Sequence, residues 1–209
     1  MEPSLLKVSA WPDFSLEQAY TGNVAGLDEA GRGPWAGPVV AAAVILDRCR
    51  IPSGIHDSKL LRPEVREDLY EQLSLCAIWS IGVAEVEEID QLNILGATKL
   101  AMQRAVRALV VVPDVVLVDG NQPPSLPCQT VAIVGGDARS VSIAAASIFA
   151  KVTRDRMMRT LAQLHPGYGW ERNKGYSTAE HLRALLHLGA TPQHRRSFAP
   201  VRLRLGLSA

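Results

Sequence analysis

At 209 residues, 47% of them hydrophobic and 21% charged, the chain is long enough for one substantial core but not for two large ones. Its longest apolar run, residues 39–46, falls far short of the ~20 residues a membrane-spanning helix needs; residues 1–20 lack the charged, apolar and small-residue succession of a signal peptide, so a cytoplasmic protein without membrane contact is expected. The net charge of +1 hides a split: residues 1–150 hold 11 Lys/Arg against 18 Asp/Glu, a balance of −7, whereas residues 151–209 hold 11 against 3, a balance of +8.

Residues 24–27 read as a buried strand followed by Asp28-Glu29 and then Ala30-Gly31-Arg32-Gly33-Pro34. Residues 39–46 form a second strand, apolar on both faces as a central strand is. A helix over 64–75, a strand over 78–86 and a long helix over 88–109 come next, the last with Leu92, Leu95, Leu100 and Val106 near helical spacing. Residues 115–118 are a buried-type strand ending at Asp119-Gly120. The turn Gly135-Gly136-Asp137 leads into a long helix over 140–164, and Ser177-x-x-Glu180 has the form of a capping box opening a helix that closes at Gly189. The Pro-rich piece 123–127 is too short to be a domain linker. Strands interleaved with helices predict an α/β fold. Cys49, Cys76 and Cys128 have no CxxC spacing, so neither a disulfide framework nor a zinc knuckle is expected.

The chemistry is sought where acids follow apolar strands, because open α/β sheets bind ligands beyond the carboxyl ends of their strands. Asp28-Glu29 and Asp119 meet that condition, and Asp137 lies just before a helix. Successive side chains on a strand alternate in direction, so Asp28 and Glu29 are expected to share a site only if the strand ends or bends between them. Asp119 also fits a plain turn former and Asp137 a helix cap. Adjacent carboxylates after a buried strand are harder to account for without a cation, and four acids with no HExxH, GxSxG or GxxxxGK[ST] motif favour hard divalent ions such as Mg²⁺ or Mn²⁺. The run Gly31-x-Gly33-x-x-x-Gly37 misses the dinucleotide-binding spacing by one residue, and acids beside it would repel a pyrophosphate. The basic C-terminal part suits a polyanion. Within it, Tyr176, Tyr168 and Trp170 offer flat faces among Arg172, Lys174 and Arg183, with Trp170 equally suited to the core. His165 and His194 are read as structural or phosphate-facing.

These residues sit in stretches that together resemble bacterial ribonuclease HII: GLDEAGRGPWAGPVVAAAVIL (26–46), HDSKLL (56–61), EEIDQLNILGATKLAMQRAV (87–106), LVDGN (117–121), GGDARSVSIAAASIFAKVTRD (135–155), NKGYSTAEH (173–181) and HRRSFAPV (194–201). The resemblance implies a ribonuclease H-like mixed sheet flanked by helices, with a catalytic core over 1–160 and a small, mainly helical C-terminal extension over 161–209 packed on it. It implies an endoribonuclease acting as a monomer on RNA/DNA hybrids and on ribonucleotide-containing duplex DNA. Asp28, Glu29, Asp119 and Asp137 would be the catalytic and metal-binding quartet for two ions, roughly 4 Å apart in such sites. Gly31, Arg32 and Gly33 would sense the ribose through close backbone approach, and Tyr176 would pack on the sugar that follows. Ser58 and Lys59 are expected to hold a phosphate, and Ser147 and Lys151 to do likewise or to brace the site. Trp35 stands where leucine is more usual, and Gly135 where lysine is common.

Overall fold

The computed structural model describes residues 11–207; residues 1–10, which carry half of the leader reading, and 208–209 lie outside the described residues. In chain order the regular elements are β1 (Val24–Ala30), β2 (Val39–Ile45), α1 (Pro63–Cys76), β3 (Ile78–Ala84), α2 (Val86–Ala108), β4 (Val115–Asp119), β5 (Gln129–Ile133), α3 (Val141–Leu164), α4 (Trp170–Asn173), α5 (Ala179–Leu188) and α6 (Ala199–Arg204), with one-turn 3-10 segments at Glu17–Ala19 and Gly136–Ala138. The sheet runs in the order β3-β2-β1-β4-β5. β1 pairs antiparallel with β2 and parallel with β4, which makes the sheet mixed, flanked by helices on both faces.

Side-chain alternation assigns each face. Ala25, Leu27, Ala41, Ala43, Val116 and Val118 pack with Ala97, Ala101 and Met102 of α2. On the other face Ala42 and Val44 meet Leu69 and Leu73 of α1 and Phe149 of α3, while Val24, Val115 and Leu117 meet Ile143 of α3. β2 is buried along its whole length, the reason every residue in it is apolar. Gly26 lets α3 settle against β1, since a Cβ there would lie 2.1 Å from the Ser142 backbone. The start of α3 is fixed by Ser140, whose Oγ accepts from the Ile143 amide at 3.1 Å and donates to Glu17 Oε1 at 2.6 Å; the Glu17 carboxylate also accepts from the Ser142 amide, placing negative charge at the positive end of the helix.

Several elements differ from expectation. β1 does not end at residue 27 but continues through Asp28 and Glu29 to Ala30, because β2 pairs with it as far as Ala30↔Val40. The helix expected over 88–109 is broken at Asn93 (φ 58, ψ 172), whose Oδ1 accepts from the amides of Leu95 and Gly96 and so starts the second segment. Thr178, not Ser177, caps α5 by accepting from the His181 amide, and Glu180 turns instead to Arg172. The expected boundary after residue 160 falls inside α3. β5, α4 and α6 are additional to the expected elements. No helix among the described residues is long and apolar enough to cross a membrane.

Candidate active site

The parallel register of β1 and β4 sets Val24 opposite Val115 and Gly26 opposite Leu117, all on the α3 face. Two residues further along that face come Asp28 and Asp119, so the period of the strand carries both acids to the same side at the sheet's carboxyl edge. The turn Gly136–Ala138, just before α3, brings Asp137 up to them, and the Gly136 amide donates to Asp119 Oδ1 at 2.7 Å. Carboxylate oxygens of Asp28, Asp119 and Asp137 then lie within 4.8 Å of one another, the one such grouping of three or more His, Cys, Asp or Glu among the described residues. Asp28 and Asp137 are 4% and 6% exposed.

Glu29, on the opposite side of the pleat, does not join that trio. Its Oε1 is 3.2 Å from Arg32 Nη1. It stays close enough to raise the pKa of Asp28, which burial first and then Glu29 and Asp119 push well above the usual carboxylate range. Burial also raises Glu29, against the opposing pull of Arg32, and burial with Asp137 raises Asp119. The trio is therefore short of positive charge. Lys59 supplies some: its Nζ is 3.0 Å from Asp137 Oδ2, and although burial works against its charge, the Asp137 hydrogen bond and the charges of Asp137, Asp57 and Asp28 raise its pKa. An all-oxygen, buried, under-neutralised donor set fits a hard divalent cation and suits neither a thiolate-seeking nor an imidazole-seeking metal.

The remaining expected residues divide. Ser58 and Ser147 are both buried; Ser147 Oγ accepts from the Ser58 amide at 3.1 Å and donates to Ala144 O at 2.8 Å, an arrangement that braces the segment carrying Lys59. Lys151 lies 2.6 Å from Asp155. Tyr176 is 43% exposed and stands beside the loop after β1, since a Cβ on Gly33 would be 3.6 Å from its ring. Tyr168 and Trp170 are not surface faces: they are 4% and 0% exposed and stack on each other at 5.0 Å. Trp170 Nε1 donates to His181 Nε2 at 3.1 Å, and the same nitrogen is 3.1 Å from His194 Nε2. His194 is fully buried and therefore structural.

Two residues absent from the sequence reading hold the loop after β1. The Arg154 guanidinium donates to the carbonyls of Ala36, Pro38 and Lys174, and that of Arg195 to those of Gly31, Arg32, Pro34, Gly37 and Pro38. Arg154 stands at helical spacing from Ser147 and Lys151, a pattern that could have drawn attention to it. Arg195 has no such periodic cue.

With this geometry in place, the protein family described as ribonuclease HII matches residues 25–201. The chain is 59% identical over 198 residues to a ribonuclease HII of Parvibaculum lavamentivorans, covering 93% of this chain and 74% of that one. It is 60% identical over 198 residues to a ribonuclease HII of Paracoccus denitrificans, covering 91% and 93%. Among solved structures, it is similar to the ribonuclease H2 of Pyrococcus horikoshii OT3, with a TM-score of 0.75, 28% identity and coverage of 88% of this chain and 97% of that one.

Proposed function

The chain belongs to the ribonuclease HII family, and from that premise we propose that it is a divalent-metal-dependent endoribonuclease that hydrolyses the RNA strand of RNA/DNA hybrids and cuts on the 5′ side of single ribonucleotides in duplex DNA. The observation that carries this reading is the carboxylate trio of Asp28, Asp119 and Asp137 at the sheet edge from which the Gly31-Arg32-Gly33 loop and Tyr176 continue.

Asp28, Asp119 and Asp137 would hold the divalent cations, and Glu29, which pairs with Arg32 at 3.2 Å, would join them by turning from that pair. When bound, Mg²⁺ or Mn²⁺ would supply an activated water and neutralise charge on the departing 3′-oxygen. Lys59, 3.0 Å from Asp137 and largely exposed, offers a positive charge to a phosphate. The amides of Arg32 and Gly33 can reach a 2′-hydroxyl because no Cβ of Gly31 or Gly33 stands between backbone and ribose. Tyr176 offers a flat face to the next sugar. His181 and His194 are buried and spent on each other, Trp170 and Thr191, so they provide no base for attack by the 2′-oxygen. The C-terminal excess of Lys and Arg would hold the duplex.

The test compares an all-DNA duplex with one containing a single ribonucleotide, with Mg²⁺ and then Mn²⁺, and identifies the ends by mass spectrometry. The expected upstream fragment ends in a deoxyribose 3′-hydroxyl that a polymerase extends directly. The downstream fragment begins with the 5′-phosphorylated ribonucleotide. A 2′,3′-cyclic phosphate, or a cut on the 3′ side, overturns both the hydrolytic mechanism and the role given to the loop.

A further inference from the structure

A guanidinium has five N–H donors in a fixed planar fork, and all five of Arg195 are spent on one short loop. Its Nε donates to Gly37 O at 2.9 Å, Nη1 to Arg32 O and Pro34 O at 3.1 and 2.7 Å, and Nη2 to Gly31 O and Pro38 O at 2.6 and 3.1 Å. The side chain is 0% exposed and forms no ion pair among the described residues; the buried cation is held by carbonyl dipoles, with the Phe198 ring centroid 5.2 Å from its guanidinium carbon. Burying a charge in this way is costly unless every donor is matched, and here every donor is.

The peptide bonds of the described residues are all trans, which makes each amide N–H point the opposite way, within the peptide plane, from the carbonyl that precedes it. Turning the carbonyls of Gly31 and Arg32 inward to Arg195 therefore turns the amides of Arg32 and Gly33 outward. Among the described residues neither amide has a hydrogen-bond partner, both residues are exposed, and Tyr176 stands beside Gly33. Successive outward N–H groups form a concavity suited to an electronegative oxygen. We infer that Arg195 is a positioning residue for ribose discrimination, contributed by the C-terminal segment: it touches no substrate but sets the direction in which the Arg32 and Gly33 amides point. The inference rests on the reading of that loop as the ribose sensor. Asp90 supports it from behind, accepting from the amides of Arg196 and Ser197 and from Ser197 Oγ, which fixes the chain directly after Arg195.

The deciding variant is Arg195→Lys, which keeps the charge but presents three donors from one nitrogen and cannot span five carbonyls. Two measurements are made on the whole protein: the ratio of kcat/KM for duplexes carrying one ribonucleotide to that for the 2′-fluoro analogue, and the ¹H–¹⁵N signals of Arg32 and Gly33. Because both substrates see the same folded fraction, a loss of folded protein alone leaves the ratio unchanged. The ratio is expected to fall about tenfold, within the range that a displacement of an ångström costs at a reacting site, and both amide signals are expected to move. Asp90→Ala, at a partly exposed position, should change both readouts in the same direction by less, and it decides the matter alone if Arg195→Lys does not fold. A parent enzyme that discriminates and variants that keep the ratio within twofold with unmoved amide signals overturn the role of Arg195. Should the parent itself fail to discriminate, the ribose-sensor reading is what fails, and the amide signals still decide whether Arg195 orients the loop.

Discussion

Residues 28 and 31 lie three positions apart, yet the protein treats buried charge in opposite ways on the two sides of that gap. In the loop after β1, two buried cations, Arg154 and Arg195, are matched by carbonyls until the Arg195 donors are exhausted. At the end of β1, two buried carboxylates and the half-buried Asp119 crowd within 4.8 Å, with Lys59 3.0 Å from Asp137, and burial raises the pKa of Asp28 and of Asp119. Burial pushes Arg154 down to about 10 and Arg195 to about 9, yet the hydrogen bonding of the loop is complete without a ligand, and the charge of the cluster is not. A site that must hold a cation is built from charges the fold leaves unbalanced, whereas a site that must measure a shape is built from polar groups whose hydrogen bonds the fold satisfies.

The largest effect should come from removing a charge on the incomplete side. Asp28→Asn is expected to cut cleavage on the order of 10³-fold or more, as loss of a central electrostatic group does, while leaving duplex binding by the basic surface in place. In a chelator the same variant should melt at a higher temperature than the parent, because the desolvation of Asp28 and its repulsion from Glu29 and Asp119 disappear together. Adding Mn²⁺ should raise the melting temperature of the parent well above its effect on the variant. Activity within tenfold of the parent at saturating metal, or a variant that melts lower in chelator, would contradict this account of the cluster.

On the complete side the same kind of change should harm fold and function together. Gly31 has φ +97, and a Cβ there would lie 2.0 Å from Arg154 Nε and 2.8 Å from Pro38 O. Gly31→Ala is therefore expected to lose about 1–3 kcal/mol of stability from backbone strain, and more if Arg154 is displaced from its carbonyls. Its cleavage of single-ribonucleotide duplexes should fall while Mn²⁺ binding by calorimetry stays near that of the parent. Weakened Mn²⁺ binding would mean the two sides are not separable.

Much of the incomplete side was legible in the sequence, and most of the complete side was not. Acids placed after apolar strands announce Asp28 and Asp119 because strand period and burial are written in residue type. The strand neither ends nor bends between Asp28 and Glu29, the condition for their sharing a site, since pairing with β2 is a property of another segment. β5 was missed because this edge strand is only partly buried and opens with the polar pair Gln129 and Thr130, so it lacks a continuous apolar run. Arg195 was illegible for a deeper reason: its partners are backbone carbonyls, which every residue has, so no pairing of residue types marks them. Tyr168 and Trp170 looked like Tyr176 by composition, and only packing separates the two buried rings from the exposed one.

Tyr176→Ala tests whether the exposed ring works with the loop it adjoins. At 43% exposure it contributes little burial, so the melting temperature should move by only a few degrees, the equivalent of about 1 kcal/mol or less. Cleavage at an isolated ribonucleotide should fall by about tenfold, the loss expected from roughly 1.4 kcal/mol of lost contact. A collapse in melting temperature would place Tyr176 among the packing residues with Tyr168 and Trp170.

The smallest effect concerns pH, where the two halves of the molecule should respond with opposite sign. Trp170 Nε1 donates to His181 Nε2, so His181 carries its proton on Nδ1 and donates it to Tyr176 O at 3.0 Å. The Thr191 amide donates to His194 Nδ1, so the His194 proton sits on Nε2, facing His181 at 3.1 Å. Both rings are neutral in this arrangement. Burial first, then the neighbouring His181, push His194 down to about 4, against about 6.5 in an unfolded chain. Between those values the unfolded state binds the extra proton, so this contribution to stability is fully present above pH ~6.5 and is lost as pH falls toward 4. For Asp28, Glu29 and Asp119 the native pKa is raised instead, so without metal their contribution runs the other way, favouring the folded state as pH falls. Urea unfolding in chelator at a series of pH values, for the parent and for His194→Gln, separates the two. The difference between the curves should be flat above pH ~6.5 and should slope against the parent below it. A difference that stays flat down to pH ~4.5 would show that His194 is not held neutral by the fold, and with it that the proton placement tying this pair to the Tyr176 backbone is wrong.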